Sequence, residues 1–121
     1  CLDTGHLVVG GGSPLEVARR AGDRVKHVHL KDCDAKAAGR IQRKESTYSV
    51  EVRNGMYKPL GQGDAQIKEV ITFLDKIDYS GMLVMEQDIM LPGVPPKEGG
   101  PIENVRASLA FLESVVSQLG V

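Results

Sequence analysis

The chain has 121 residues, 41% of them hydrophobic, which is enough for one small domain with a buried core. Its 15 basic and 16 acidic residues nearly cancel and form no basic run, so neither nucleic acid nor an anionic membrane surface is an expected partner. No apolar stretch reaches the roughly 20 residues that span a bilayer and no leader pattern opens the chain, so the expected address is the cytoplasm, and Cys1 and Cys33 lack the number and spacing of a disulfide framework or a paired zinc motif and read as free thiols.

The chain opens on Cys1 and Leu2 running straight into Asp3, the pattern of a strand end, and is read as a part of a longer protein. A Gly-rich loop ending Gly10-Gly11-Gly12 follows, then a helix from Pro14 to about Ala21. Ser13 is a good N-cap for it, Pro14 suits the first turn, and Glu16 stands where a capping box wants it. The next strand is Arg24 to Leu30, with Val25, His27 and His29 on one face and Lys26, Val28 and Leu30 on the other. From Lys31 to Gly63 the sequence reads as a long polar connection with a turn at Asn54-Gly55. A helix from about Ala65 to Ile77 is expected behind an Asp64 cap, burying Ile67, Val70, Ile71 and Leu74. The apolar run Met82 to Met85 reads as a buried strand that stops at Glu86-Gln87-Asp88. A Pro/Gly-rich loop then leads to a last helix from Pro101. Its Ile102, Val105, Leu109, Leu112, Val116 and Leu119 recur at spacings of three and four and are expected to pack on the outside of the sheet.

Strands alternating with helices, joined by a short turn at Asp78-Tyr79-Ser80-Gly81 on one side and by long loops on the other, imply a parallel α/β architecture. Chemistry gathers at the C-terminal strand ends of such folds. Here those ends carry Asp3 and His6, then His27, His29, Lys31 and Asp32, then Glu86 and Asp88. Carboxylate oxygen and imidazole nitrogen are ligands for Mn, Co, Mg or Zn. Of the two histidines, His29 lies nearer the rim and is the ligand candidate, with His27 one layer deeper. A carboxylate that ends a wholly apolar strand, as Glu86 does, costs desolvation unless a cation or a basic side chain such as Lys31 compensates it. Asp3 also has a plainer reading as the cap of the next turn. Gly61-Gln62-Gly63-Asp64 is a weak phosphate signal and reads as a close backbone approach.

Leu2-Asp3-Thr4-Gly5-His6, His27-Val28-His29-Leu30-Lys31-Asp32, Gly61-Gln62-Gly63-Asp64 and Val84-Met85-Glu86-Gln87-Asp88 resemble the xylose isomerase-like TIM-barrel superfamily, most closely its inosose dehydratase-like branch. The resemblance implies that residues 1–121 are the C-terminal portion of a (β/α)8 TIM barrel, its strands six to eight with their helices. It implies a divalent metal held by Asp3, His29 and Glu86, with catalytic roles for Glu86, His6 and Lys31 and substrate contacts from His6, Lys31, Asp32 and Asp88. The implied activity is proton abstraction next to the carbonyl of a sugar or inositol, as in an isomerase, epimerase or dehydratase. The family's fourth ligand, a glutamate on strand five, has no counterpart here, so the chain alone is expected to be inactive without the N-terminal barrel half or another copy to complete it. Two further readings stand beside this one. A non-catalytic barrel remnant would keep its strands for packing or interaction only. An endonuclease IV-type nuclease needs further histidine ligands after strand seven, and none lies between Lys31 and Gly63.

Overall fold

The computed structural model describes residues 1–120. The chain runs through β1 (Leu2–Asp3), α1 (Thr4–Val9) and α2 (Pro14–Ala21), a 3-10 turn (Gly22–Arg24), β2 (His27–Leu30) and β3 (Asp32–Cys33). It continues through α3 (Ala35–Gln42), α4 (Tyr48–Arg53), β4 (Tyr57–Lys58), α5 (Ile67–Lys76), β5 (Met82–Met85) and α6 (Pro101–Leu119). β1, β2 and β5 form a parallel sheet in that order, with Asp3 beside His29 and His29 beside Val84.

Alternation along β2 decides which face is covered. Val28 and Leu30 are fully buried under the helices, while His27 and His29 are half-exposed on the other face. The covered face joins Leu2, Ala18, Val25, Val70, Ile71 and Leu74 into one core. Each such aliphatic side chain contributes about 1.5–3 kcal/mol relative to exposure. α2 starts where Ser13 Oγ accepts from the Glu16 amide and Pro14 fills the first turn. α5 buries the expected stripe, Ile67, Val70, Ile71 and Leu74.

Three expectations are corrected. The connection from Lys31 to Gly63 is folded, carrying two short helices and an antiparallel pair, β3 with β4. Local capping builds it: Asp34 accepts from the Lys36 and Ala37 amides, and Thr47 from Val50. Each helix buries two residues only, one of them the charged Glu51 against Arg40, so no apolar stripe betrays them. Asp64 does not cap α5. Its carboxylate accepts from the Ala35 amide at 2.9 Å, and α5 begins after Gln66 in a left-handed conformation.

The third correction concerns α6. Ile102, Val105, Leu109 and Val116 are exposed, and the inward line is Ser108 and Val115, buried, flanked by Phe111, Leu112 and Leu119. Ser108 hid that line from an apolar count; its Oγ accepts from the Leu60 amide at 3.0 Å, so a polar side chain occupies a core position at no desolvation loss.

Candidate functional site

The open face of the sheet and the C-terminal tips of its strands hold the charged residues. Parallel register puts Asp3 next to His29, and Glu86, whose amide donates to Leu30 O at 2.9 Å, follows β5 directly. One oxygen or ring nitrogen from each of Asp3, His29 and Glu86 lies within 4.8 Å of the others. His29 Nδ1 is 3.5 Å from Asp3 Oδ2 and 3.2 Å from Glu86 Oε2.

Lys31 enters the same space. Its side chain is 3% exposed, and Nζ lies 3.6 Å from Asp3 Oδ2, 3.2 Å from Glu86 Oε2 and 3.1 Å from Asp88 Oδ2. Burial alone would lower the proton affinity of this amine, but the hydrogen bonds it donates to Asp88 and Glu86 and the charge of Asp3 outweigh it and hold the pKa above its ordinary value. Asp3 is the mirror case. Burial pushes its carboxyl up, yet the His6 amide, Lys31 and the His6 ring together hold it below the usual range. Gly5 makes room for this arrangement, because a Cβ there would stand 2.7 Å from Lys31 Cγ. Thr4 ties the two strand tips together, its hydroxyl donating to Lys31 O at 2.8 Å and accepting from the Lys31 amide at 2.9 Å.

Both readings of Asp3 hold at once. Oδ1 caps α1 by accepting from the His6 amide at 2.8 Å, while Oδ2 faces His29 and Lys31 and pairs with His6 Nδ1 at 2.9 Å. His6, half-exposed, reaches on toward Tyr48, whose hydroxyl is 3.4 Å from Nε2. That hydroxyl also donates to Asp88 Oδ2 at 3.2 Å and sits 3.1 Å from the Tyr57 hydroxyl. Tyr48 and Tyr57 were missed in the sequence. Only the folding of α4 and β4 back over the strand tips brings them in, and no local motif signals that.

Asp32 is the residue the fold does not bring to the rim, against expectation. It is 1% exposed, and its two oxygens accept from the amides of Cys33, Gly61, Gly63 and Ala65 at 2.9 to 3.0 Å. Gly63 permits the approach, since a Cβ there would collide with Asp32 Oδ1. Asp32 therefore holds the Gly61-Gln62-Gly63-Asp64 loop against the strand tip and leaves no lone pair facing outward. His27 lies below His29, their ring centroids 5.0 Å apart and near perpendicular.

The donor set of Asp3, His29 and Glu86 fits a hard or borderline divalent ion: two carboxylate oxygens and an imidazole nitrogen from three adjacent strand tips. The Lys31 ammonium shares two of those three atoms, so it supplies positive charge at the same place.

The xylose isomerase-like TIM barrel family matches residues 1–115 of the chain. An inosose dehydratase of Bacillus thuringiensis (strain Al Hakam) is 37% identical over 87 residues, which is 72% of this chain and 29% of that protein. An inosose dehydratase of Clostridium perfringens (strain 13 / Type A) shares 37% over the same shares of each chain. One from Lacticaseibacillus casei is 28% identical over 116 residues, 96% of this chain and 37% of the relative. The chain thus spans about a third of the length of the curated relatives it matches.

Proposed function

The chain belongs to the xylose isomerase-like TIM barrel family, and from that premise we propose that it supplies strands six to eight of a (β/α)8 barrel that is, when intact, an inosose dehydratase-like enzyme acting on a sugar or inositol. The observation that carries the proposal is the convergence of Asp3, His29 and Glu86 within 4.8 Å on the open side of the sheet. A packing remnant has no use for it. Lys31, 3% exposed and facing three carboxylates, is costly to bury and gains nothing for stability that an apolar residue would not give.

Asp3, His29 and Glu86 would hold a divalent ion, Mn, Co, Mg or Zn, together with a ligand from the remaining strands. The chemistry such an ion would supply there is Lewis-acid polarisation of a substrate carbonyl. The chain's own groups carry the proton movements. Glu86 takes the proton α to the carbonyl. The Lys31 ammonium faces the oxygen on which negative charge then develops and stabilises it electrostatically. His6, oriented by Asp3 at 2.9 Å, gives a proton to the departing β-hydroxyl, which leaves as water as the carbon–carbon double bond forms. Asp88 and Tyr48 line the same rim and contact substrate hydroxyls. An acid at His6 beside the base at Glu86 favours dehydration over epimerisation, which needs a second base on the opposite face of the substrate. The chain alone is inactive in this scheme, because the remaining strands complete both barrel and ligand set.

The test is Glu86→Gln in the intact protein, assayed for inosose dehydration with added Mn2+ or Co2+. A positioned acid or base is worth about 100 to 10,000-fold, so kcat/KM falls by that factor and tight metal binding is lost. Retention of both overturns the proposal.

A further inference from the structure

The open face of the sheet continues downward from Asp3 and His29. Leu2 pairs with Val28 and Asp3 with His29, so period two sets Cys1 and His27 one layer beneath that pair, on the same face. Cys1 is exposed and uncommitted to a disulfide, and its Sγ and one nitrogen from each of His27 and His29 lie within 4.8 Å of one another. His27 and His29 are half-exposed toward the same side, their rings 5.0 Å apart at 77°. None of this is used by the chemistry above except His29.

We propose that Cys1, His27 and His29 form a second cation site, selective for a soft or borderline ion such as Zn2+ or Cd2+. One thiolate and two imidazoles are three of the four donors of a tetrahedral centre, with metal–sulfur and metal–nitrogen distances of about 2.3 and 2.0 Å. The donor atoms already lie within 4.8 Å of one another, so side-chain rotation closes them onto such an ion, which in the intact barrel would sit in the interior beneath the upper site. Thiolate separates this site from the upper one. Asp3 and Glu86 suit Mg2+ and Mn2+, whereas sulfur selects the thiophilic ions. The two sites also share a ligand. A neutral imidazole has a single acceptor nitrogen, so His29 serves one ion at a time, and a soft ion in the lower site weakens the upper one.

The experiment uses the intact protein titrated with Co2+, read by near-ultraviolet absorption, and with Mn2+, read by electron paramagnetic resonance. A sulfur-to-cobalt charge-transfer band appears with Co2+ and is abolished in Cys1→Ser and in His27→Gln, while Mn2+ binding survives both changes. Zn2+ affinity at this site falls by at least about 100-fold in Cys1→Ser, because even the outer partners of metal ligands are worth about 10 to 100-fold. Added Cd2+ weakens Mn2+ binding in the wild type and not in Cys1→Ser. A wild type that binds Co2+ without the sulfur band overturns the proposal, and so does a band that persists in Cys1→Ser, which would assign it to another cysteine. Failure of the upper site reads out separately, as Mn2+ binding indifferent to Glu86→Gln.

Discussion

Asp32 offers the sharpest separation between a structural and a substrate-binding role. Its Oδ1 accepts from Cys33 N at 3.0 Å and Ala65 N at 2.9 Å, and its Oδ2 from Gly61 N at 2.9 Å and Gly63 N at 3.0 Å. Asp32→Asn keeps shape and volume but replaces one oxygen by an NH2 group that confronts two backbone donors. Two hydrogen bonds to a charged acceptor are lost, each worth about 1.5–3 kcal/mol, for a total of about 3–6 kcal/mol. Against a typical global stability of about 5–15 kcal/mol this is severe. The assay is equilibrium urea unfolding of the intact protein, where the midpoint drops at unchanged m-value. Hydrogen exchange at Gly61 and Gly63 accelerates together with it, since these amides lose their acceptor. KM of the protein that remains folded is unchanged. A stability loss under about 1 kcal/mol, the range of ordinary surface changes, combined with a raised KM would refute the reasoning and return Asp32 to the substrate.

Other perturbations probe the surroundings. The Arg40 hydrogen bonds, aided by Ser46, lower the Glu51 carboxyl from 4.5 to about 2. A depressed carboxylate stabilises fully above its unfolded value, so the stability difference between wild type and Arg40→Met, followed by circular dichroism, shrinks as pH falls from 4.5 to about 2. A difference independent of pH across that window would remove the ion pair as its cause. Tyr48→Phe deletes the hydroxyl that bridges His6, Asp88 and Tyr57. Losing one or two such bonds, about 1–2 kcal/mol, lowers kcat/KM by about 5 to 30-fold with little change in unfolding midpoint, and an unaltered kcat/KM would exclude Tyr48 from the site. Gly5→Ala drives a methyl group into Lys31 Cγ and costs about 1–3 kcal/mol of overpacking, read as a lowered Tm; a Tm within about one degree of wild type would mean that Lys31 is free to move aside.

The three parallel strands and the long helices were legible because their signals are local. The apolar run Met82–Met85 needs only its bounding turns to be found, although Met82 and Leu83 are exposed rather than buried as expected, and the α5 stripe needs only period 3.6. Asp3, His29 and Glu86 were legible for the same reason: each ends a recognisable strand, and parallel strands bring their tips together. What failed depended on pairings distant in sequence. Asp32 looks like its neighbour Lys31, yet alternation turns one side chain into the rim and the other into a nest of amides contributed by residues 61 to 65. Tyr48 and Tyr57 reach the site only through short elements held by caps and by Arg40 with Glu51. The Cys1 group is invisible to cysteine spacing, because its partners are histidines on an adjacent strand.

Glu86 had two physical explanations from sequence, a cation or a lysine; the geometry shows the lysine, with Lys31 Nζ 3.2 Å from Glu86 Oε2, and the charge balance around it supports the proposed cation as well. Asp3, Glu86 and Asp88 bring three carboxylates to the Lys31 ammonium, which neutralises one, so about two negative charges are left at a half-buried site. An excess of two matches the charge of a divalent ion, and His29, a neutral donor 3.2 Å from Glu86, adds a ligand without changing that balance. Under the proposed function, Lys31 keeps Asp88, 3.1 Å away, as its partner and presents its remaining hydrogens to a substrate oxygen. Electrostatics, more than the identity of any one side chain, is what supports the proposed cation site.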